Sequence, residues 1–321
     1  MNPPMEVGLL LYPGVQMSAV LGLTDLLYFA NRLNCERLGL KQPVMRVSHL
    51  QQLGSQKTQR IFDTMPGTAG EPTFIVMGPC LVNPDIRGFG ENTINWLRDR
   101  HADGAKLASV CGGAFLLAQT GVAQTRLVTT HFSLVDELAE RFPDLNIDAN
   151  RILIDNGDVI TAGGFMAWID LGLHLVDRIL GPVAMVDTAD FMLIEPPGRE
   201  QRYFKIFSPQ LEHGDEAVLR TQLWMENVGT RGITNSAMAK RAGLEERTFL
   251  RRFRKATGLK PQEYCRHLRV AKARELMSGS RRPIESVAWE VGYTDLGSFR
   301  RSFFKLTGLN PADYRRRFGG G

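Results

Sequence analysis

Two sets of side chains in this chain have the types and spacing to do chemistry. The first centres on Cys111, in the run Ala108-Ser109-Val110-Cys111-Gly112-Gly113-Ala114-Phe115. An apolar strand leads into the cysteine and a helix leads away, which holds the thiol on a sharp strand-to-helix turn. At a helix amino terminus the local dipole favours the thiolate. His131 follows twenty residues later. A thiol and an imidazole can serve as nucleophile and base if a third group orients the base and backbone N–H groups receive the oxyanion. The second set belongs to a phrase written twice. Phe249–Arg266 reads FLRRFRKATGLKPQEYCR and Phe299–Arg316 reads FRRSFFKLTGLNPADYRR, fifty residues apart. Both copies carry arginines, and arginine can donate two hydrogen bonds to guanine O6 and N7. Two copies are too few for a stacked solenoid.

The elements that must position these groups differ between the two halves. Val7–Leu11, Val44–Ser48, Phe74–Met77 and Lys106–Val110 are short apolar runs of strand type. Ile152–Asp155 and Val159–Thr161 predict a strand pair around Asn156-Gly157. Helical spacing covers Ser18–Arg32, Ile94–Arg100, Gly112–Thr120, Phe132–Arg141 and Ala167–Leu180. Strands alternating with helices predict an α/β sheet covered on both faces, over residues 5–194. Glu195-Pro196-Pro197-Gly198 breaks the pattern and opens a linker over 195–212. Residues 213–318 read as helices only.

Charge follows the same division. From His213 onward there are 22 Lys/Arg against 11 Asp/Glu, a balance of +11, while the preceding residues balance at −6. A basic carboxy-terminal half fits a polyanionic partner. The four cysteines form no C-x-x-C pair, so neither a zinc framework nor a disulfide scaffold is expected, and free thiols fit a reducing cytoplasm. No metal-ligand spacing links the histidines; His174, in an apolar helix, reads as a satisfied core residue. No apolar run is long enough to span a membrane.

In the basic half, Thr234–Arg241, capped by Thr234, then Ala242-Gly243-Leu244, then Glu246–Ala256 spell helix, turn, helix. Ile284–Val291, Gly292-Tyr293-Thr294 and Leu296–Leu306, capped by Asp295, repeat it. Phe249 and Phe253, and Phe299 and Phe303, lie four apart and should pack inward. Arginines on the other faces can enter the major groove, while Lys255, Lys305, Arg281 and Arg282 suit phosphates. Between the copies, Pro261–Met277 predicts one helix spanning roughly 25 Å. With its turns it could set the two recognition helices about one DNA turn apart, roughly 34 Å.

The region Leu219–Phe318 resembles the AraC/XylS family of transcription regulators, most strongly over Val287–Tyr314. Carried over position by position, Arg247, Leu250 and Arg251 match base-reading places in the first copy, and Gly297, Arg300 and Arg301 match them in the second. Glu245 stands where a small capping serine is common, and Leu250 can meet a thymine methyl but cannot hydrogen-bond a base. Residues from about Val7 to Gly181 resemble the glutamine-amidotransferase-like superfamily of PfpI type, which implies a flavodoxin-like fold. The resemblance rests on Cys111 with its strand and helix, on His131, and on Ile160-Thr161-Ala162-Gly163-Gly164. Asp25 falls where many members carry a glutamate beside the cysteine. Two departures count against turnover. Hydrolytic members have a glutamate two residues after the histidine, where this chain has Ser133. Where the superfamily usually has a second glycine after Gly78, this chain has Pro79, which has no N–H to donate.

The resulting expectation is a cytoplasmic, sequence-specific DNA-binding regulator without catalysis, cofactor or metal. A small-molecule effector would bind near Asp25, Gly78, Cys111, Gly112, His131 and Gly163. The resemblance implies an activator of catabolic genes that answers to an amino acid, amine or related metabolite. The partners expected are double-stranded DNA, RNA polymerase and a second copy of the chain as a homodimer. Two other readings stay open: a Cys111-dependent amidase, hydratase or peptidase fused to a DNA-binding domain, and a non-specific nucleoid-binding protein.

Overall fold

The computed structural model describes residues 3–52, 58–81, 90–228 and 230–319. They fall into two compact units, Met1–Gln201 and Arg202–Gly321. In chain order the first contains β1 (Met5–Leu11), α1 (Met17–Leu38), β2 (Met45–Gln52), β3 (Thr58–Asp63) and β4 (Phe74–Met77). It continues with α2 (Glu91–Ala102), β5 (Lys106–Val110), α3 (Gly113–Gln119), β6 (Leu127–Val128), α4 (Val135–Arg141) and β7 (Asn146–Ile147). It ends with β8 (Leu153–Asp155), β9 (Val159–Ala162), α5 (Trp168–Leu180) and α6 (Pro182–Met192).

The main sheet has strand order β3-β2-β1-β4-β5-β9-β8. The central pairings are parallel and the two edge pairings, β2–β3 and β8–β9, are antiparallel. Every residue of β4 and β9 is buried. Successive side chains point to opposite faces, so both faces of the sheet are covered, as a parallel sheet requires. Sequence pattern finds these strands because they are continuous apolar runs. It misses β3, whose side chains are mostly exposed on the sheet edge, and it merges no signal into the two-residue pair β6–β7. It also misses α6: Gly181 (φ 90°) ends α5, and Pro182 restarts a helix where a missing N–H costs nothing. Helix α1 runs one and a half turns past the expected end, to Gly39 in the left-handed region (φ 66°).

The second unit holds α7 (Glu216–Val228), α8 (Asn235–Ala242), α9 (Glu246–Thr257), α10 (Pro261–Gly279), α11 (Ile284–Glu290), α12 (Leu296–Thr307) and α13 (Pro311–Phe318). It has two separate hydrophobic cores. Phe249 and Phe253 pack with Met225, Met238, Tyr264 and Cys265 in one; Phe299 and Phe303 pack with Val270, Met277, Val287 and Tyr314 in the other. All four phenylalanines are fully buried. Helix α10 serves both cores, its first half facing one and its second half the other. Its 19 residues span about 28 Å.

The repeated phrase is mostly scaffold. Thr257 and Thr307 each donate to the carbonyl four residues back (Phe253 and Phe303, both 2.8 Å). Gly258 and Gly308 then turn left-handed, φ 72° and 76°, to close α9 and α12. Repetition thus marks cores and helix ends. Of the candidate reading positions, Arg247 and Leu250 become Gly297 and Arg300 in the second copy, while Arg251 recurs as Arg301.

Candidate functional site

The cysteine site forms at the carboxyl ends of β1, β4, β5 and β9, four neighbouring strands. The strand order reverses between β1 and β4, the place where doubly wound sheets open a crevice. Cys111 has φ 52°, a left-handed conformation that costs energy for a residue with a Cβ. Two hydrogen bonds hold it there: its N–H donates to the Ala162 carbonyl (2.8 Å), and its own carbonyl accepts from Thr130 Oγ1 (2.8 Å). The turn needs glycine at 113, since a Cβ there would stand 2.3 Å from the Met77 carbonyl oxygen. Gly112 packs against Cys80, whose Cβ lies 3.2 Å from where a Gly112 Cβ would be.

The chemistry differs from that of an activated thiol. Burial pushes the Cys111 thiol up to about 11; the Gly112 N–H opposes this and Cys80 adds to it. The dipole of a seven-residue helix, expected to favour the thiolate, does not outweigh the loss of solvation. His131 is half-buried, and burial lowers its affinity for a proton. Its Nδ1 accepts the Ser133 N–H (3.2 Å) and lies 2.7 Å from Ser133 Oγ, so the neutral ring carries its proton on Nε2. The imidazole therefore caps the short turn Phe132–Leu134. Among the described residues no hydrogen bond joins it to Cys111. Pro79 offers its carbonyl to the Gln16 N–H (2.8 Å), and the Gly78 carbonyl accepts from Tyr12 Oη. Both carbonyls are thus already paired, and Pro79 has no N–H to offer an oxyanion.

Gly78, Cys111, Gly112 and Gly163 stand together at the strand ends, with His131 linked to them through Thr130. Asp25 does not join them. It is exposed on α1, on the face opposite buried Leu23 and Leu27. Gln16, the residue before α1, is tied to the end of β4 through its N–H on the Pro79 carbonyl; its side chain is 4% exposed, its Nε2 bonds Ser18 Oγ (2.8 Å) and its Oε1 finds no donor among the described residues. Sequence reasoning missed Gln16, Tyr12, Cys80 and Gln201. For the first three the available signal was their place directly after β1 and β4. Gln201 gave none: it is buried, and its Nε2 fills the space that a Cβ on Gly163 would occupy, 1.9 Å away. His174, read as a core residue, is half-buried and bonds Asp155 (2.7 Å). Among the described residues no group of three or more His, Cys, Asp or Glu could hold a metal ion, and no helix is long and apolar enough to cross a membrane.

In the second unit Thr234 caps α8 by accepting from the Ala237 N–H (3.1 Å). Asp295 caps α12 by accepting from Gly297 and Ser298 N–H groups, whereas Glu245 makes no such bond to α9. Arg247, Arg251, Arg300 and Arg301 are exposed on α9 and α12. Leu250 is half-buried and leans on the first core, and Gly297 is half-buried in the first turn of α12. Arg301 folds back onto Ser298 Oγ (2.9 Å) and Asp295 (3.7 Å). Not every cation is available to DNA. Arg252 is bound by Asp215 (2.7 and 2.8 Å), and Arg282, expected on a phosphate, pairs with Glu290.

Comparison with known proteins agrees with this division. A family model described as a helix-turn-helix domain matches residues 238–317, and the DJ-1/PfpI family model matches residues 84–178. The chain is 29% identical to the HTH-type transcriptional regulator GlxA of Rhizobium meliloti over 219 residues, covering 67% of each protein. It is 23% identical to the HTH-type transcriptional regulator ArgR of Pseudomonas aeruginosa over 329 aligned positions, covering 99% of this chain and 95% of that one. It is also 27% identical over 199 residues to an isonitrile hydratase of Pseudomonas putida, covering 60% of this chain and 77% of the enzyme. Two helix-turn-helix cores behind a DJ-1/PfpI sheet, with full-length regulators as relatives, identify the chain as a DNA-binding transcription regulator that joins a carboxy-terminal AraC-type helix-turn-helix domain to an amino-terminal DJ-1/PfpI domain.

Proposed function

We infer that the amino-terminal domain is a sensor that binds a small metabolite without converting it, and that the bound effector adjusts DNA binding by α9 and α12. The observation that carries the sensor reading is the state of the cysteine site. A thiol pushed up to about 11 leaves on the order of one molecule in ten thousand ionised at pH 7. The histidine lone pair is committed to the Ser133 N–H, and Pro79 supplies no donor. The unpaired, buried Gln16 Oε1 favours an effector with an N–H group, such as an amino acid or amine. Activation of catabolic genes, a homodimer and contact with RNA polymerase complete this reading, on the strength of the family.

A second reading is Cys111-dependent turnover, favoured by the left-handed Cys111 and by the likeness to an isonitrile hydratase. Hydration or hydrolysis assays on small isonitriles, nitriles and amides separate the two. The sensor reading expects no turnover above that of Cys111→Ala. Turnover that disappears in this variant would replace the sensor with an enzyme.

On the DNA side, Arg300→Ala and Arg301→Ala are each expected to cost about 1–3 kcal/mol at one or two operator base pairs. Competition binding across single-base operator variants checks this. Equal weakening on every sequence would move these arginines from bases to phosphates.

A further inference from the structure

The geometry points to Phe304 as a further reading side chain of α12, one that recognises the 5-methyl group of a thymine; this rests on the reading of bases by α12 proposed above. Each residue turns an α-helix by about 100°, so Gly297, Arg300, Arg301 and Phe304, at i, i+3, i+4 and i+7, share one stripe. A recognition helix in the major groove can read bases with that spacing. Phe299 and Phe303 point the other way and are fully buried in the second core. Phe304 belongs to neither core of the unit and is 53% exposed. The Arg202 guanidinium, in the same unit, lies 5.9 Å from the ring centroid and leaves that much of the residue open.

The repeated phrase separates this position from the scaffold. The residues that build the two cores and end the two helices recur: Phe249, Phe253, Thr257 and Gly258 return as Phe299, Phe303, Thr307 and Gly308. Phe304 has no such twin. Its counterpart is Arg254, which is also exposed. Two stripe positions one helical turn apart thus exchange their chemistry. The first copy has Leu250 and then Arg254, an apolar group followed by a cation; the second has Arg300 and then Phe304, a cation followed by an apolar group. A phenyl ring can neither pair with a phosphate nor donate to a base edge. Among the four bases, thymine alone puts an apolar group, its 5-methyl, on the major-groove edge. Contact between the two removes apolar surface of both from water. The thymine is met one helical turn beyond the base that Arg300 reads, toward the carboxyl end of α12.

The test uses the full chain, without effector, and a duplex that it selects from a randomised pool. Each thymine of that duplex is replaced in turn by deoxyuridine, which removes the 5-methyl group and leaves base pairing unchanged. The parent is expected to lose about fourfold in affinity at one thymine, roughly what burial of one methyl group contributes. Phe304→Ala is expected to bind the unmodified duplex about fourfold more weakly or worse, and to be indifferent to the methyl at that thymine. Phe304→Leu keeps an apolar side chain and should keep the methyl dependence. Methyl dependence that survives unchanged in Phe304→Ala, or equal weakening of Phe304→Ala on every duplex, would overturn the proposal. Arg300→Ala separates the two claims. If it relaxes base choice while Phe304→Ala leaves the methyl dependence intact, α12 reads bases and only the role of Phe304 falls. If neither variant changes base choice, or the pool yields no shared sequence, the reading by α12 falls and the proposal falls with it.

Discussion

Phe303→Ala is expected to unfold the second helix-turn-helix while the first remains folded, and to leave a protein that grips DNA with one reader. The side chain is fully buried in its own core, against Phe299 (ring centroids 5.6 Å apart) and Tyr314 (5.3 Å). Removing a buried aromatic costs about 3–5 kcal/mol, through lost transfer energy and the cavity left behind. Among the described residues the first core, around Phe253 and Tyr264, shares only the helix α10 with the second. Binding should then lose base discrimination in one half of the operator only. The slope of log affinity against log salt should fall by roughly half, because it counts the phosphates neutralised. Anisotropy titrations at several salt concentrations, with half-site substitutions in the duplex, check both effects. Phe253→Ala should spare the opposite half. An unchanged slope in Phe303→Ala would mean that the second copy does not touch DNA.

Glu6→Gln is expected to destabilise the first unit by about 3–5 kcal/mol at pH 7, the usual cost of removing one partner from a buried ion pair. Glu6 is 2% exposed and Arg46 is 1% exposed, so the change leaves a buried cation with the more distant Asp63 carboxylate (3.6 Å) in place of its closest partner. The carboxylate accepts from Arg60 Nε (2.7 Å), Arg46 Nε (3.0 Å) and Ser48 Oγ (2.6 Å). Burial alone would raise its pKa; the hydrogen bonds from Arg60, Ser48 and Arg46 overcome that and hold it below the usual 4.5. A carboxyl lowered in the folded state binds fewer protons there than in the unfolded chain. Its stabilisation is therefore complete above about pH 4.5 and is lost as pH falls through the folded value. Urea unfolding at a series of pH values should show this acid slope in the parent and a shallower one in Glu6→Gln. Parallel slopes would assign the acid sensitivity to other carboxylates.

How much could be read from the chain varies with the physics of each element. Strands β4 and β5 match their expected bounds because a strand buried on both faces is an unbroken apolar run. The edge strand β3 has no such run, since most of its side chains meet water. Both helix-turn-helix units were legible, down to the caps Thr234 and Asp295, because caps, glycine turns and i,i+4 phenylalanines act within a few residues. The cysteine elbow was legible for the same reason. Resemblance put Asp25 beside the cysteine, whereas the residue is exposed on α1; one residue's shift along a helix turns a side chain by about 100°, so a resemblance alone does not fix which face it takes.

The amino-acid order alone determined two reading units in series behind an α/β domain, the charge that suits DNA, and a thiol on a tight turn. These depend on local periodicity, composition and short-range turns. Folding alone decided how that thiol behaves, which arginines are already occupied, and what Gln201 does. Proton affinity follows from burial and from groups brought together across the chain: Cys111 is raised because the strand ends enclose it, and Arg252 is taken by Asp215, 37 residues away. Gln201 meets Thr130 across 71 positions. No local pattern encodes such a contact, because its energy exists only after the sheet has assembled.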